Sequence, residues 1–179
     1  MKLETALITS VIGSLTALIG AFGGAYLANR FAEKRFEKQI EHEKEKDVLK
    51  IYREKGEEVL TALSQWNKQL YFVQMGRLAV LSGNKSMEEL DELMRTRTEP
   101  YTHVKAETLI GIYFPNYSKE LAKVFEQITV SNVMFESYSS PGAGKEMGLK
   151  KLGKQAATAE ESLDKLIEDI RIYILSKYM

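Results

Sequence analysis

Residues 6–28 read Ala-Leu-Ile-Thr-Ser-Val-Ile-Gly-Ser-Leu-Thr-Ala-Leu-Ile-Gly-Ala-Phe-Gly-Gly-Ala-Tyr-Leu-Ala, and none is charged. As a helix rising ~1.5 Å per residue, the stretch is roughly 34 Å long, against a hydrocarbon layer of about 30 Å. Its polar residues, Thr9, Ser10, Ser14 and Thr16, can bond back to their own helix carbonyls. Its glycines weaken a helix in water but are frequent in membrane spans. A cleaved signal peptide wants a basic start, whereas Lys2 is balanced by Glu4. An interfacial helix needs a polar face, and this stretch has none. The expectation is a transmembrane helix within residues 1–28.

The flanks orient it. Arg30, Lys34, Arg35 and Lys38 follow the stretch, and only Lys2 precedes it. The positive-inside rule puts the N-terminus outside and the rest of the chain in the cytoplasm, in a single-pass protein of the plasma (inner) membrane. The absence of cysteine fits that compartment without requiring it. Asn84-Lys85-Ser86 and Asn116-Tyr117-Ser118 are formal glycosylation sequons that matter only on a lumenal domain. Small residues recur at helical spacing: Gly13, Ala17, Ala21 and Ala25 form one ridge, and Gly20, Gly24 and Ala28 another. Such ridges let helix backbones approach closely, so Gly13, Ala17, Gly20, Ala21 and Gly24 are candidate oligomerisation residues.

Residues 29–47 are saturated with charge and contain neither proline nor glycine. Opposite charges recur at i, i+3, as in Arg30–Glu33, Lys34–Glu37 and Lys38–Glu41, which favours an exposed helical stalk. Arg30, Lys34, Arg35 and Lys38 suit anionic lipid head groups, with Phe31 and Phe36 at the membrane interface.

Beyond the stalk the pattern is helical throughout, with no strand-like alternation. Leu49, Tyr52, Gly56, Val59, Leu63, Trp66, Leu70 and Val73 alternate steps of three and four, and the pattern breaks at Arg77. Ser82-Gly83-Asn84 predicts the helix end, and Ser86-Met-Glu-Glu89 a capping box opening a second helix with Met87, Leu90, Leu93 and Met94 on its apolar face. Pro100 interrupts that helix, which resumes to about Tyr113; Pro115 ends it. Asn116 or Ser118 caps a third helix carrying Leu121, Val124, Phe125, Ile128 and Phe135. Residues 138–148 read as a loop, and Leu149, Leu152, Ala156, Ala159, Leu163, Leu166, Ile170 and Tyr173 as the seam of the last helix. The expected fold is all-α: an N-terminal transmembrane segment (1–28), a charged helical stalk (29–47) and an antiparallel four-helix bundle (48–179). The uninterrupted pattern makes span, stalk and first bundle helix one continuous helix. Aligning the ends of the first and last bundle helices keeps paired residue numbers near a sum of 226, with Trp66 facing Ala159 and Gly56 facing Ile170. That sets large against small side chains.

Chemistry-bearing motifs are scarce. Pro141-Gly-Ala-Gly-Lys145 resembles a phosphate loop only superficially, since Ser139 and Glu146 replace the required glycine and hydroxyl residue. His42 and His103 are preceded at three residues by Gln39 and Pro100, so the Glu-x-x-His metal motif of bundles is absent. No cysteine is available as nucleophile or zinc ligand, and no serine stands in a nucleophile elbow. Catalytic, cofactor and metal residues are therefore expected to be none. The charges sum to zero, which points away from nucleic acid. Tyr101, Tyr113, Phe114 and Tyr117, and the scattered methionines, read as core packing before they read as a binding face.

These readings converge on a membrane-anchored, non-catalytic interaction or scaffold protein. Its partners are the bilayer, anionic lipid head groups, and a protein partner or its own copies. Two alternatives stand beside it: a small pore-forming or toxin-like effector that oligomerises through the span, and a bundle that senses a ligand.

Overall fold

The computed structural model describes residues 2–140 and 142–178, with side chains from residue 13 onward. Among the described residues there are five α-helices and no strand: α1 (Lys2–Leu81), α2 (Met87–Arg97), α3 (Thr102–Tyr113), α4 (Ser118–Ser139) and α5 (Lys145–Tyr178). A single 3-10 turn, Pro115–Tyr117, leads into α4. Two compact units share the chain, residues 1–49 and residues 50–179, and the boundary falls inside α1.

The first unit is helical, and every side chain described in it is exposed. Among the described residues no helix is long and apolar enough to cross a membrane. The expected span is therefore unsupported. Its opening part, 6–12, lies outside the described side chains, and the described part, 13–28, is shorter than the ~20 residues a span needs. Nor do the expected i, i+3 pairs of the stalk close to ion-pair distance among the described residues. Lys50–Glu54 at 4.0 Å and Arg53–Glu57 at 3.7 Å form one turn apart instead. Long exposed side chains lose rotamer freedom on pairing and gain little Coulomb energy in water, so spacing alone does not hold them together.

The second unit is a helical bundle. From Lys50 onward α1 runs antiparallel to α5: Tyr52 stacks on Tyr178 with centroids 4.9 Å apart. A Cβ on Gly56 would lie 2.7 Å from Ile174 Cδ1, and one on Gly153 would lie 4.0 Å from Leu78 Cδ2. Between them, Asn67 Nδ2 donates to Asp164 Oδ1 at 2.6 Å. Every one of these pairs sums to 230 or 231. The register expected near 226 is thus displaced by about one helical turn. Gly56 meets Ile174 instead of Ile170, and the Trp66 ring lies against Phe125 at 5.1 Å. The displacement arises at the ends: Leu49, taken as the first seam residue, is 43% exposed, so the seam starts at Tyr52 and closes on Tyr178.

Helices α2 and α3 together form the second leg, antiparallel to α1. A Cβ on Gly76 would meet Leu90 Cδ1 at 2.8 Å, Gln65 Nε2 donates to Glu99 Oε2 at 2.6 Å, and Tyr52 meets Tyr113 edge-on at 6.1 Å. Helix α4 runs parallel to α1, with Arg77 Nη1 donating to Asn132 Oδ1 at 2.6 Å. The antiparallel return along α5 brings the Tyr117 hydroxyl 3.2 Å from the Asp169 carbonyl. The topology is up-down-up-down with a broken second leg.

Local chemistry explains the joints. Gly83, at φ 77°, donates to the Val80 carbonyl at 3.0 Å, while Asn84 donates to Ala79 at 2.9 Å, capping α1. Ser86 and Glu89 form the expected capping box, with bonds of 2.7 and 3.2 Å. Met87, placed on the apolar face by its spacing, is instead 45% exposed. The loop before α5 is shorter than expected. Pro141 lies outside the described residues, but α4 reaches Ser139 and α5 begins at Lys145. Gly148, read as a loop residue, is buried where α4 and α5 meet: a Cβ there would lie 2.6 Å from Tyr138 Cβ.

Candidate functional site

The buried apolar residues fall into two clusters. The larger joins Val59, Leu63, Trp66 and Leu70 of α1 to Leu121 and Val124 of α4 and Ala159 through Ile174 of α5. The smaller joins Leu81, Leu90, Phe135 and Leu152. The intervening layer is polar. Gln74 of α1 and Ser131 of α4 are fully buried, and Arg77 is half-buried. At its edge Gln155 Nε2 donates to the Gln127 carbonyl at 3.1 Å.

This layer is incompletely paired. Gln74 Nε2 and Oε1, Ser131 Oγ and Arg77 Nε are buried and have no hydrogen-bond partner among the described residues. A buried polar group left unpaired costs about 1–3 kcal/mol, so four such atoms in one layer are unusual for a core held together only by packing. Arg77 is the one charge in it. Its Nη1 bonds neutral Asn132, its guanidinium lies 5.4 Å from the Phe135 ring centroid, and no carboxylate among the described residues pairs with it. Burial pushes its pKa down and Glu136 pushes it up, but a guanidinium remains charged.

Where the second leg breaks, Arg77 and Asn132 at the edge of the layer border a cavity, while Gln74 and Ser131 stay closed off from it. Helix α2 ends at Arg97, and Thr98 Oγ1 turns back to the Met94 carbonyl. Pro100 follows, and Tyr101 then takes a left-handed conformation, φ 72° and ψ 4°, before α3 starts. The break leaves a cavity of about 250 Å³, bounded by Trp66, Gln69, Val73, Arg77, Ile128 and Asn132 on the α1 and α4 sides. Its mouth carries Glu99, Tyr101 and His103. Gln69 is held by a bond of 3.2 Å to Thr102 Oγ1.

The expected aromatic cluster divides. Phe114 is buried and Tyr113 and Tyr117 are half-buried, packing with Tyr52, Tyr173 and Tyr178 at one end of the bundle. Burial, followed by hydrogen bonding with Tyr173, pushes the Tyr178 hydroxyl up to about 12. Tyr101 belongs to the cavity mouth instead and is 71% exposed. His103 lies 6.2 Å from both the Trp66 and Phe125 rings, and His42 is an exposed partner of Glu45 at 4.0 Å. No group of three or more His, Cys, Asp or Glu residues able to hold a metal ion occurs among the described residues.

The sequence-derived site residues lie elsewhere. Gly13, Ala17, Gly20, Ala21 and Gly24, like Arg30, Phe31, Lys34, Arg35 and Lys38, stand exposed along α1 in the first unit. Nothing lies within 4 Å of where a Cβ on Gly13, Gly20 or Gly24 would be. Sequence reasoning passed over the Arg77 layer. The signal was the break in the seam at Arg77, which reads as a helix losing its buried face but marks where that face turns polar. Comparison with known proteins finds no match: no family model, no curated protein and no solved structure resembles the chain.

Proposed function

We propose that the protein is a membrane-anchored, non-catalytic interaction module, held to the inner membrane by its N-terminal helix and presenting the bundle to a cytoplasmic protein partner or to further copies of itself. The observation that carries this reading is an exposed, uncharged helical stretch bearing Leu15, Leu18, Ile19, Phe22 and Leu27, each more than half exposed. Burying one such side chain is worth about 1.5–3 kcal/mol. Five left in water on one helix therefore call for a cover, and hydrocarbon covers all sides of a helix at once. Residues 6–12, equally uncharged, extend the stretch to a spanning length. Arg30, Lys34, Arg35 and Lys38 follow immediately and suit phosphate head groups on the cytoplasmic leaflet. Gly20 and Gly24, with Gly13, Ala17 and Ala21, offer the small-residue face through which two such helices associate in lipid.

Alkaline carbonate extraction of membranes from cells making the full chain tests the anchor. The wild-type chain is expected to stay in the pellet, and the double substitution Leu18→Lys with Ile19→Lys to shift it into the supernatant. Release of the wild-type chain by carbonate alone rejects the anchor.

A further inference from the structure

We propose that the cavity at the α2–α3 break is a binding site for a small organic carboxylate, with Arg77 as the anion-binding group and Trp66, Val73 and Ile128 as walls for the ligand's apolar body. The inference is independent of the membrane anchor, since every residue it uses belongs to the second unit. Three observations meet at this place. First, the half-buried Arg77 brings a charge to the wall of the cavity with only neutral Asn132 bonded to its guanidinium. A half-buried charge without a counter-charge is partly desolvated at a cost, and a ligand carboxylate offsets it with charge-assisted bonds. Second, the space beside it is bounded on one side by Trp66, Leu70, Val73 and Ile128. Bare phosphate is a poor match for such walls, and the cavity has Arg77 as its lone fixed cation. At about 250 Å³ it is smaller than the usual pocket for a drug-sized ligand, which suits a small molecule. Third, Tyr101 at the mouth holds a left-handed backbone that a bulky side chain rarely adopts, and such outliers gather at ligand sites.

The acidic groups nearby do not fill the role. Glu99 is exposed at the mouth and accepts from Gln65 Nε2 at 2.6 Å, and Glu136, which influences Arg77 through space, is exposed and forms no ion pair with it among the described residues.

Trp66 is the single tryptophan of the chain and lines this cavity, so a ligand seated there is expected to change its fluorescence. The full chain in a non-ionic detergent is titrated with phenylacetate, benzoate and isocaproate, and in parallel with phenylacetamide and inorganic phosphate. At least one carboxylate is expected to change the Trp66 emission saturably at millimolar concentration or below, with phenylacetamide and phosphate weaker than the best carboxylate by about tenfold or more. Arg77→Gln is expected to lose the response. Asn132→Asp places a carboxylate where the Arg77 guanidinium already donates; it is expected to keep the helical circular dichroism, resist urea better than wild type and lose carboxylate binding. If Arg77→Gln does not fold, Asn132→Asp decides. The proposal is overturned if no carboxylate binds saturably, if the amide or phosphate binds as tightly, or if folded Asn132→Asp binds as wild type does.

Discussion

Tyr101 is the only non-glycine described residue with a positive φ, at 72°. A left-handed backbone costs a residue with a Cβ roughly 1–2 kcal/mol, while glycine's extra freedom in the unfolded chain costs about 0.5–1 kcal/mol. The Tyr101 side chain is 71% exposed, so little packing offsets the difference. Tyr101→Gly is therefore expected to stabilise the bundle by about 0.5–1 kcal/mol in urea unfolding. A loss of stability would mean that the ring's contacts at the mouth outweigh the backbone strain. Gln74 raises the same question in the core: complete burial with both amide atoms unpaired is a cost that packing alone does not explain.

At the scale of the element, the glycines mark where helices meet, and the atoms they face decide what each tolerates. A Cβ on Gly148 would lie 2.6 Å from both Cβ and Cγ of Tyr138, and the first of these is fixed by the α4 backbone whatever the side-chain rotamer. A Cβ on Gly76 would lie 2.8 Å from Leu90 Cδ1, the free end of a flexible side chain. Replacing glycine by alanine inside a helix gains about 0.8–1 kcal/mol of propensity in both cases. At Gly76 a small rotation of Leu90 leaves a net effect near zero. At Gly148 the α4–α5 contact must open, and overpacking costs about 1–3 kcal/mol. Thermal unfolding is expected to place Gly148→Ala clearly below wild type and Gly76→Ala close to it. The reverse order would reject the α4–α5 contact as described. The broken second leg follows the same logic: Pro100 prevents α2 and α3 from fusing, and the break leaves the cavity beside Arg77.

For the whole molecule, the proposed anchor implies a sidedness. The chain has no cysteine, so one introduced cysteine is an unambiguous probe. Asn84→Cys lies in the exposed turn between α1 and α2. In intact cells it is expected to escape a membrane-impermeant maleimide and to react fully after lysis. Labelling from outside intact cells would reverse the orientation drawn from Arg30, Lys34, Arg35 and Lys38.

Local signals were legible in the residues themselves. The Ser86–Glu89 box, the Gly83 cap and the α5 seam of Leu152, Ala156, Ala159, Leu163, Leu166 and Ile170 are where spacing and turn chemistry place them. Each depends on neighbours within a few positions along the chain, and a periodicity of 3.6 residues determines the buried face of a helix without reference to its partner. Three matters required the tertiary structure. The α1–α5 register, a turn away from the one obtained by aligning helix ends, was decided by contacts such as Tyr52 on Tyr178 and Gly56 on Ile174, which are far apart in sequence. The identity of Gly148 as a helix contact rather than a loop residue was decided by Tyr138 on another helix. The Arg77 layer was decided last: in the sequence the apolar pattern merely breaks at Arg77, whereas in the bundle Gln74 and Ser131 are enclosed and Arg77 borders the cavity at the Pro100 break. Helix formation is written in local spacing, but the burial of a polar group depends on which distant residues stand opposite it.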